Sequence, residues 1–93
     1  MVTTIDIGTL IVSTPDICSG HPTIAGKRFS VEQIAALTKE GLTPQSIREE
    51  YDFLTLAEVH AALAYYYANL EQIESYLASD LEEYQQRSRQ DKN

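Results

Sequence analysis

Cys18 and His21 stand three residues apart, with Asp16 just ahead of them, and are the first side chains in the chain whose types could do chemistry. A thiol beside an imidazole can form a nucleophilic thiolate–imidazolium pair. As a metal site the set would need two more ligands, and His60 is the only other histidine. The expected reading is plainer: Cys18 as a small buried hydrophobe and His21 as a loop residue ahead of Pro22. Gly20 and Gly26-Lys27 have the outline of a phosphate-binding loop. That motif places four residues between its glycines and Ser or Thr after the lysine; here five intervene and Arg28 follows. His60 sits one position beyond an apolar helical stripe, where a half-exposed histidine is expected rather than a pH-sensitive contact. The paired acids Glu49-Glu50 and Glu82-Glu83 are sequence neighbours and diverge on a helix, which is a poor basis for an acid–base dyad. No catalytic residue, metal ligand or cofactor is expected, and the chain is read as a non-enzyme.

Tyr65-Tyr66-Tyr67 is a different kind of signal. Three consecutive helical side chains spread over about 200°, so one at least must meet solvent, another helix or another chain. Tyrosine combines large apolar area with a polar tip and suits interfaces.

The elements that carry these residues can be read from local signals. Residues 5–14 are rich in β-branched types, which places a strand near Thr9–Ser13. A lone strand is unstable. It must pair with the Lys27–Phe29 segment, with a second copy of the chain or with a partner's sheet edge. Pro15–Gly26 reads as an ordered loop. Ser30 and Gln33 form a capping box for a first helix that runs to about Lys39, with Gly41 as its left-handed stop. Thr43 caps a second helix with Pro44 at the favoured first position, and its apolar contacts are Ile47 and Tyr51. Thr55 and Glu58 box a third, whose stripe is Leu56, Val59, Leu63 and Tyr66. Asn69 and Gln72 resemble one more box and predict a break. Beyond it Leu70, Ile73, Leu77, Leu81 and Tyr84 recur along an otherwise polar helix. Those five positions span barely two heptads, too few for an autonomous coiled coil, so fold-back onto the core with residual dimer contacts is expected.

The expected fold class is mainly α. A short N-terminal β-strand arm leads into a three-helix, helix-turn-helix-like (homeodomain-like) core, followed by a C-terminal amphipathic helix. The 93 residues form one domain: β arm and loop over 1–29, trihelical core over 30–69, C-terminal helix over 70–88 and a frayed tail over 89–93. A domain of this size buries roughly 60–65% of its unfolded surface, enough for one modest core. No run is apolar and long enough to span a bilayer, and no leader pattern is present, so the expected location is cytoplasmic. A single cysteine excludes an internal disulfide and a thiolate zinc site.

The chain is acidic, with 14 Asp and Glu against 7 Lys and Arg, a net charge of −7. The charge is unevenly placed. Residues 1–39 are neutral, residues 40–83 hold ten acids and the single base Arg48, and residues 84–93 carry +2 through Arg87, Arg89 and Lys92 against Asp91. Nucleic-acid affinity comes mainly from Lys and Arg on phosphates. Only the Lys27-Arg28 turn and the C-terminal tail could approach a duplex.

His21-Pro22-Thr23-Ile24-Ala25-Gly26-Lys27-Arg28-Phe29, followed by Val31-Glu32-Gln33-Ile34, forms one recognisable pattern. Gly41-Leu42-Thr43-Pro44-Gln45-Ser46-Ile47, Tyr51-Asp52-Phe53-Leu54-Thr55 and Ala61-Ala62-Leu63-Ala64-Tyr65-Tyr66 continue it. In order and spacing these segments resemble the family known as domain of unknown function 433, across about residues 13–77. Lys27 stands where that family usually has Thr, and Asp52 where it usually has Pro. The resemblance implies a trihelical, helix-turn-helix-like domain, and many members resemble VapB-type antitoxins encoded beside a PIN-like nuclease toxin. It therefore implies an interaction module that binds and neutralises such a toxin, whose metals lie in an acidic pocket. The partner-binding residues expected on this reading are Tyr65, Tyr67, Leu77, Leu81, Tyr84, Arg87 and Arg89, in a protein expected to be a homodimer. The alternative is a dimeric helix-turn-helix-like DNA-binding regulator touching phosphates with Lys27, Arg28 and Lys39. DNA is disfavoured, because the third helix would be the recognition helix and holds neither Lys nor Arg.

Overall fold

The computed structural model describes residues 4–91, with side chains described up to Asp80. The chain is mainly helical with a small antiparallel sheet at its N-terminal end. The elements are β1 (Ile11–Ser13), β2 (Pro22–Ile24), α1 (Val31–Lys39), α2 (Pro44–Glu50), α3 (Leu56–Ala68) and α4 (Leu70–Asp91). A 3-10 turn over Ile7–Thr9 precedes β1, and another over Cys18–Gly20 precedes β2.

The strand is shorter than the expected Thr9–Ser13, since Thr9 closes the preceding 3-10 turn, and within the chain it pairs with none of the partners expected for it. β1 pairs with β2, in the register Ile11↔Ile24, Val12↔Thr23 and Ser13↔Pro22, within the segment read as loop. β2 then lies between β1 and the Phe29–Ser30 segment: Ile24 N–H donates to the Phe29 carbonyl, and Thr23 bridges Ser30. The interposed strand is fully buried at all three positions, which secures a short element that begins with proline. Its backbone is satisfied from both sides, so β1 has no access to Lys27–Phe29.

The helix signals correspond to observed caps. The Ser30–Gln33 and Thr55–Glu58 boxes both form, and the Thr43 hydroxyl accepts from Ser46 N–H. Gly41, at φ 102°, ends α1: its own N–H reaches the Thr38 carbonyl and Leu42 N–H reaches the Leu37 carbonyl, the paired bonds of a Schellman stop. The break at Asn69 is present, but Gln72 does not close a box there. Its amide bonds the hydroxyls of Tyr65 and Tyr76, while the Asn69 amide donates to the Tyr65 carbonyl. The inward face of α3 is Val59, Ala62 and Tyr66 with Leu63 alongside; Leu56, at the first turn, is largely outside it.

One core joins the parts. Ile24, Phe29, Val31, Ile34, Ala35, Ile47, Leu54, Val59, Ala62, Tyr66 and Ile73 are its buried members. Phe29, Tyr51 and Phe53 meet edge-to-face at centroid separations of 5.0–6.2 Å. α4 folds back antiparallel to α1, so that Glu74 lies by Lys39 and Asp80 by Glu32 near the start of α1. Ile73 is the α4 residue in the buried core, with Tyr76 and Leu77 packed against its margin. The helix continues to Asp91, past the expected end at 88, where Gln and Arg are good helix formers and no Gly or Pro intervenes.

Ile73→Ala should cost about 2–4 kcal/mol in urea unfolding, because among the described residues α4 has no other fully buried side chain with which to fill the gap. A loss below about 1 kcal/mol would mean that α4 is not held by that contact.

Candidate functional site

Polar side chains converge at the mouth of the loop before β2. Cys18, Ser19 and Gly20 have φ of 50°, 56° and 79°, so three consecutive residues are left-handed, two of them without glycine's freedom. This turn delivers His21 to the start of α1 and the flank of α4. Its Nδ1 lies 2.6 Å from Glu32 Oε1, and its ring stacks on Tyr76 at 3.7 Å with planes 9° apart. No hydrogen bond joins the Cys18 thiol to the His21 ring among the described residues, so the nucleophile pair is not assembled. The Glu32 side chain is only 7% exposed. Burial pushes its carboxyl up to about 7, the hydrogen bond and charge of Asp80 add to that rise, and His21 opposes it.

Two further ion pairs tie Lys27 and Lys39 to distant acids. Lys27 Nζ, from the turn after β2, sits 2.5 Å from Glu58 Oε1. Glu58 also accepts from Thr55 N–H as the capping residue of α3. Burial raises the Glu58 carboxyl, but Lys27 and the Thr55 backbone outweigh it and hold the group below the usual carboxylate range. Lys39 Nζ sits 2.5 Å from Glu74 Oε2, and the other Glu74 oxygen accepts from the Tyr66 hydroxyl at 2.6 Å. That bond, with burial added, pushes the Tyr66 phenol up to about 12. Lys39 and then Tyr66 hold Glu74 low.

The three tyrosines therefore divide. Tyr66 is core, Tyr65 is half-buried and bonds Gln72, and Tyr67 is 61% exposed. Leu77 is partly buried against the core; the side chains of Leu81, Tyr84, Arg87 and Arg89 lie outside the described residues. Arg28 is exposed, and His60 is exposed on α3 beside Ala57, Ala61 and Ala64. An open apolar groove of about 320 Å³ runs between Ile7, Gly8 and Ile11 of the arm and Ala61, Ala64, Tyr65 and Ala68 of α3. No group of three or more metal-ligating side chains is assembled among the described residues. No described helix is long and apolar enough to cross a membrane.

The sequence reading did not find Glu32, Glu58 or Glu74 as the partners of His21, Lys27 and Lys39. Those contacts span 11, 31 and 35 residues and exist only once the helices pack. The one local sign was that Glu32 and Glu58 both lie in first helical turns, where an acid is held close to a preceding loop.

Fold and site together define a small trihelical domain with a β arm and an appended long helix, whose described polar side chains are joined in internal ion pairs. The model of the family described as a protein of unknown function, DUF433, matches residues 11–66, and the chain belongs to that family. The crystal structure of a DUF433 member protein from Anabaena variabilis is similar, with 31% identity and a TM-score of 0.71, over 75% of this chain and 69% of that one. No curated protein sequence matches.

The buried carboxyl makes a pH prediction. Glu32 binds its proton more tightly folded than unfolded, so its stabilising contribution is complete below about pH 4.5 and is lost as pH rises through about 7. Glu32→Gln should flatten the pH dependence of the melting temperature and melt above wild type at pH 8. An unchanged slope between pH 5 and 8 would contradict this assignment.

Proposed function

We propose that the chain is a non-enzymatic, antitoxin-like interaction module that binds and neutralises a partner PIN-like nuclease. The observation that carries the reading is the length of α4 relative to α1. Their facing stretch ends where Asp80 meets Glu32 near the start of α1, yet the α4 backbone continues as a helix to Asp91. At 1.5 Å per residue that is about 16 Å of further helix. The stripe of Ile73 and Leu77 continues at the same spacing through Leu81 and Tyr84, the pattern by which a helix enters an apolar groove. Arg87 and Arg89 follow on the one segment of net positive charge in an acidic half-chain. Guanidinium groups make strong, often bidentate bonds to carboxylates, the ligands expected around a nuclease metal.

The alternative, a DNA-binding regulator, draws less support from the geometry. Of its three phosphate-contacting candidates, Lys27 and Lys39 are within 2.5 Å of carboxylates. The described outward positions of α3 include Ala57, His60, Ala64, Tyr67 and Ala68, and none offers the Arg or Lys that most often reads guanine.

The experiment is to express tagged full-length chain and a chain ending at residue 84 in the native host and identify co-eluting proteins by mass spectrometry. The full-length chain should retain a stoichiometric nuclease encoded next to it and suppress its activity. The shortened chain should lose both while keeping a melting temperature within a few degrees of wild type. Equal retention and inhibition by both chains would remove the tail from the interface.

A further inference from the structure

The structure points to β1 as a homodimerisation edge: we propose that two copies join their β1 strands antiparallel about a two-fold axis at Val12, making one continuous four-stranded sheet.

The hydrogen-bond phase of the sheet fixes which groups are available. Ala25 N–H donates to the Leu10 carbonyl, and the Val12 carbonyl accepts from the Thr23 hydroxyl. The Leu10 and Val12 backbone groups therefore face β2, while Ile11 and Ser13 sit at the non-bonded positions opposite Ile24 and Pro22. Their N–H and C=O groups point away from β2 and meet no partner among the described residues. β2 has no such vacancy, because Phe29–Ser30 closes its other side. The sheet has one open edge, with four backbone groups on it.

Only one symmetric register uses all four. Pairing Ile11 with Ile11 of a second copy would set Ser13 against Thr9, whose N–H is already taken by the Asp6 carbonyl. Pairing Ser13 with Ser13 would set Ile11 against Pro15, which has no N–H. Pairing Ile11 with Ser13 of the second copy, and the reverse, makes two doubly bonded pairs. The two Val12 side chains then meet across the axis at the close, non-bonded position.

The chemistry of the edge fits a second copy of this chain. Edge strands are usually protected by Lys, Pro or a bulge; Ile11-Val12-Ser13 has none of these. Ile5, Ile7 and Val12 are 67%, 70% and 39% exposed, so the arm presents apolar side chains beside the open edge. Charge points the same way. Residues 1–39 are neutral, whereas residues 40–83 carry the acid excess, so two copies meeting by the arm avoid the repulsion that contact through the acidic half would bring.

The test is the mass in solution at about 100 µM by light scattering after size exclusion, on the full chain and two variants. Ser13→Pro removes an N–H that β2 does not use, so the fold remains while two of the four intermolecular bonds disappear. Val12→Lys sets two ammonium groups together at the axis. The wild type should run at twice the 10.4 kDa chain mass. Both variants should dissociate at least about tenfold more readily, with helical circular dichroism and melting unchanged apart from the concentration-dependent part. A monomeric wild type, or a dimer that both variants leave intact, would overturn the proposal.

Discussion

The return of α4 onto α1 is the contact on which the outward face of the molecule depends. Ile73 enters a core otherwise made by β2, α1, α2, α3 and the turns between them. Polar ties then hold the helix on both sides of that plug. Lys39 and Tyr66 share Glu74 near the α3–α4 corner, and Tyr76 stacks on His21 while Asp80 faces Glu32 at the other end. Exposed ion pairs contribute little individually. Here they act as registry marks, because a helix sliding by one turn would part Lys39 from Glu74 and Tyr76 from His21 and strand Ile73 in solvent.

This arrangement accounts for what the surface offers. Lys27 and Lys39 are held on Glu58 and Glu74, so much of the positive charge in the body serves the fold. Among the described residues, the open edge of β1, the apolar arm before it and the exposed Tyr67, Phe53 and Leu70 side chains are not absorbed internally, and the α4 backbone runs on to Asp91. Backbone groups in a row, aromatic area and an amphipathic sequence pattern are the features on which the proposed protein contacts rest.

Much of the fold was legible because its signals are local. Ser30–Gln33, Thr43-Pro44, Thr55–Glu58 and Gly41 each set a helix boundary within four residues of themselves, and backbone geometry alone makes them work. β2 was not legible. It has three residues, starts with proline and owes its existence to partners on both sides, one of them 11 residues back in the chain. The capping box expected from Asn69 and Gln72 failed for a related reason: the tyrosine hydroxyls of neighbouring turns compete for the same amide. For the candidate site, the residue types were visible and their partners were not. His21 was expected as a bland loop residue, yet it packs between Glu32 and Tyr76, because a left-handed turn brings it to a helix that begins ten residues later.

The central proposal is that the chain, with Lys27 and Lys39 tied to Glu58 and Glu74, meets protein rather than nucleic acid. The most direct measurement is fluorescence anisotropy of a labelled duplex from the chain's own promoter region, titrated with protein from low to physiological salt. The account predicts no saturable binding at about 10 µM protein even at 20 mM salt, since few free phosphate contacts remain to release counterions. Saturable binding that weakens steeply with salt, and disappears on Lys27→Glu with Arg28→Glu, would contradict it.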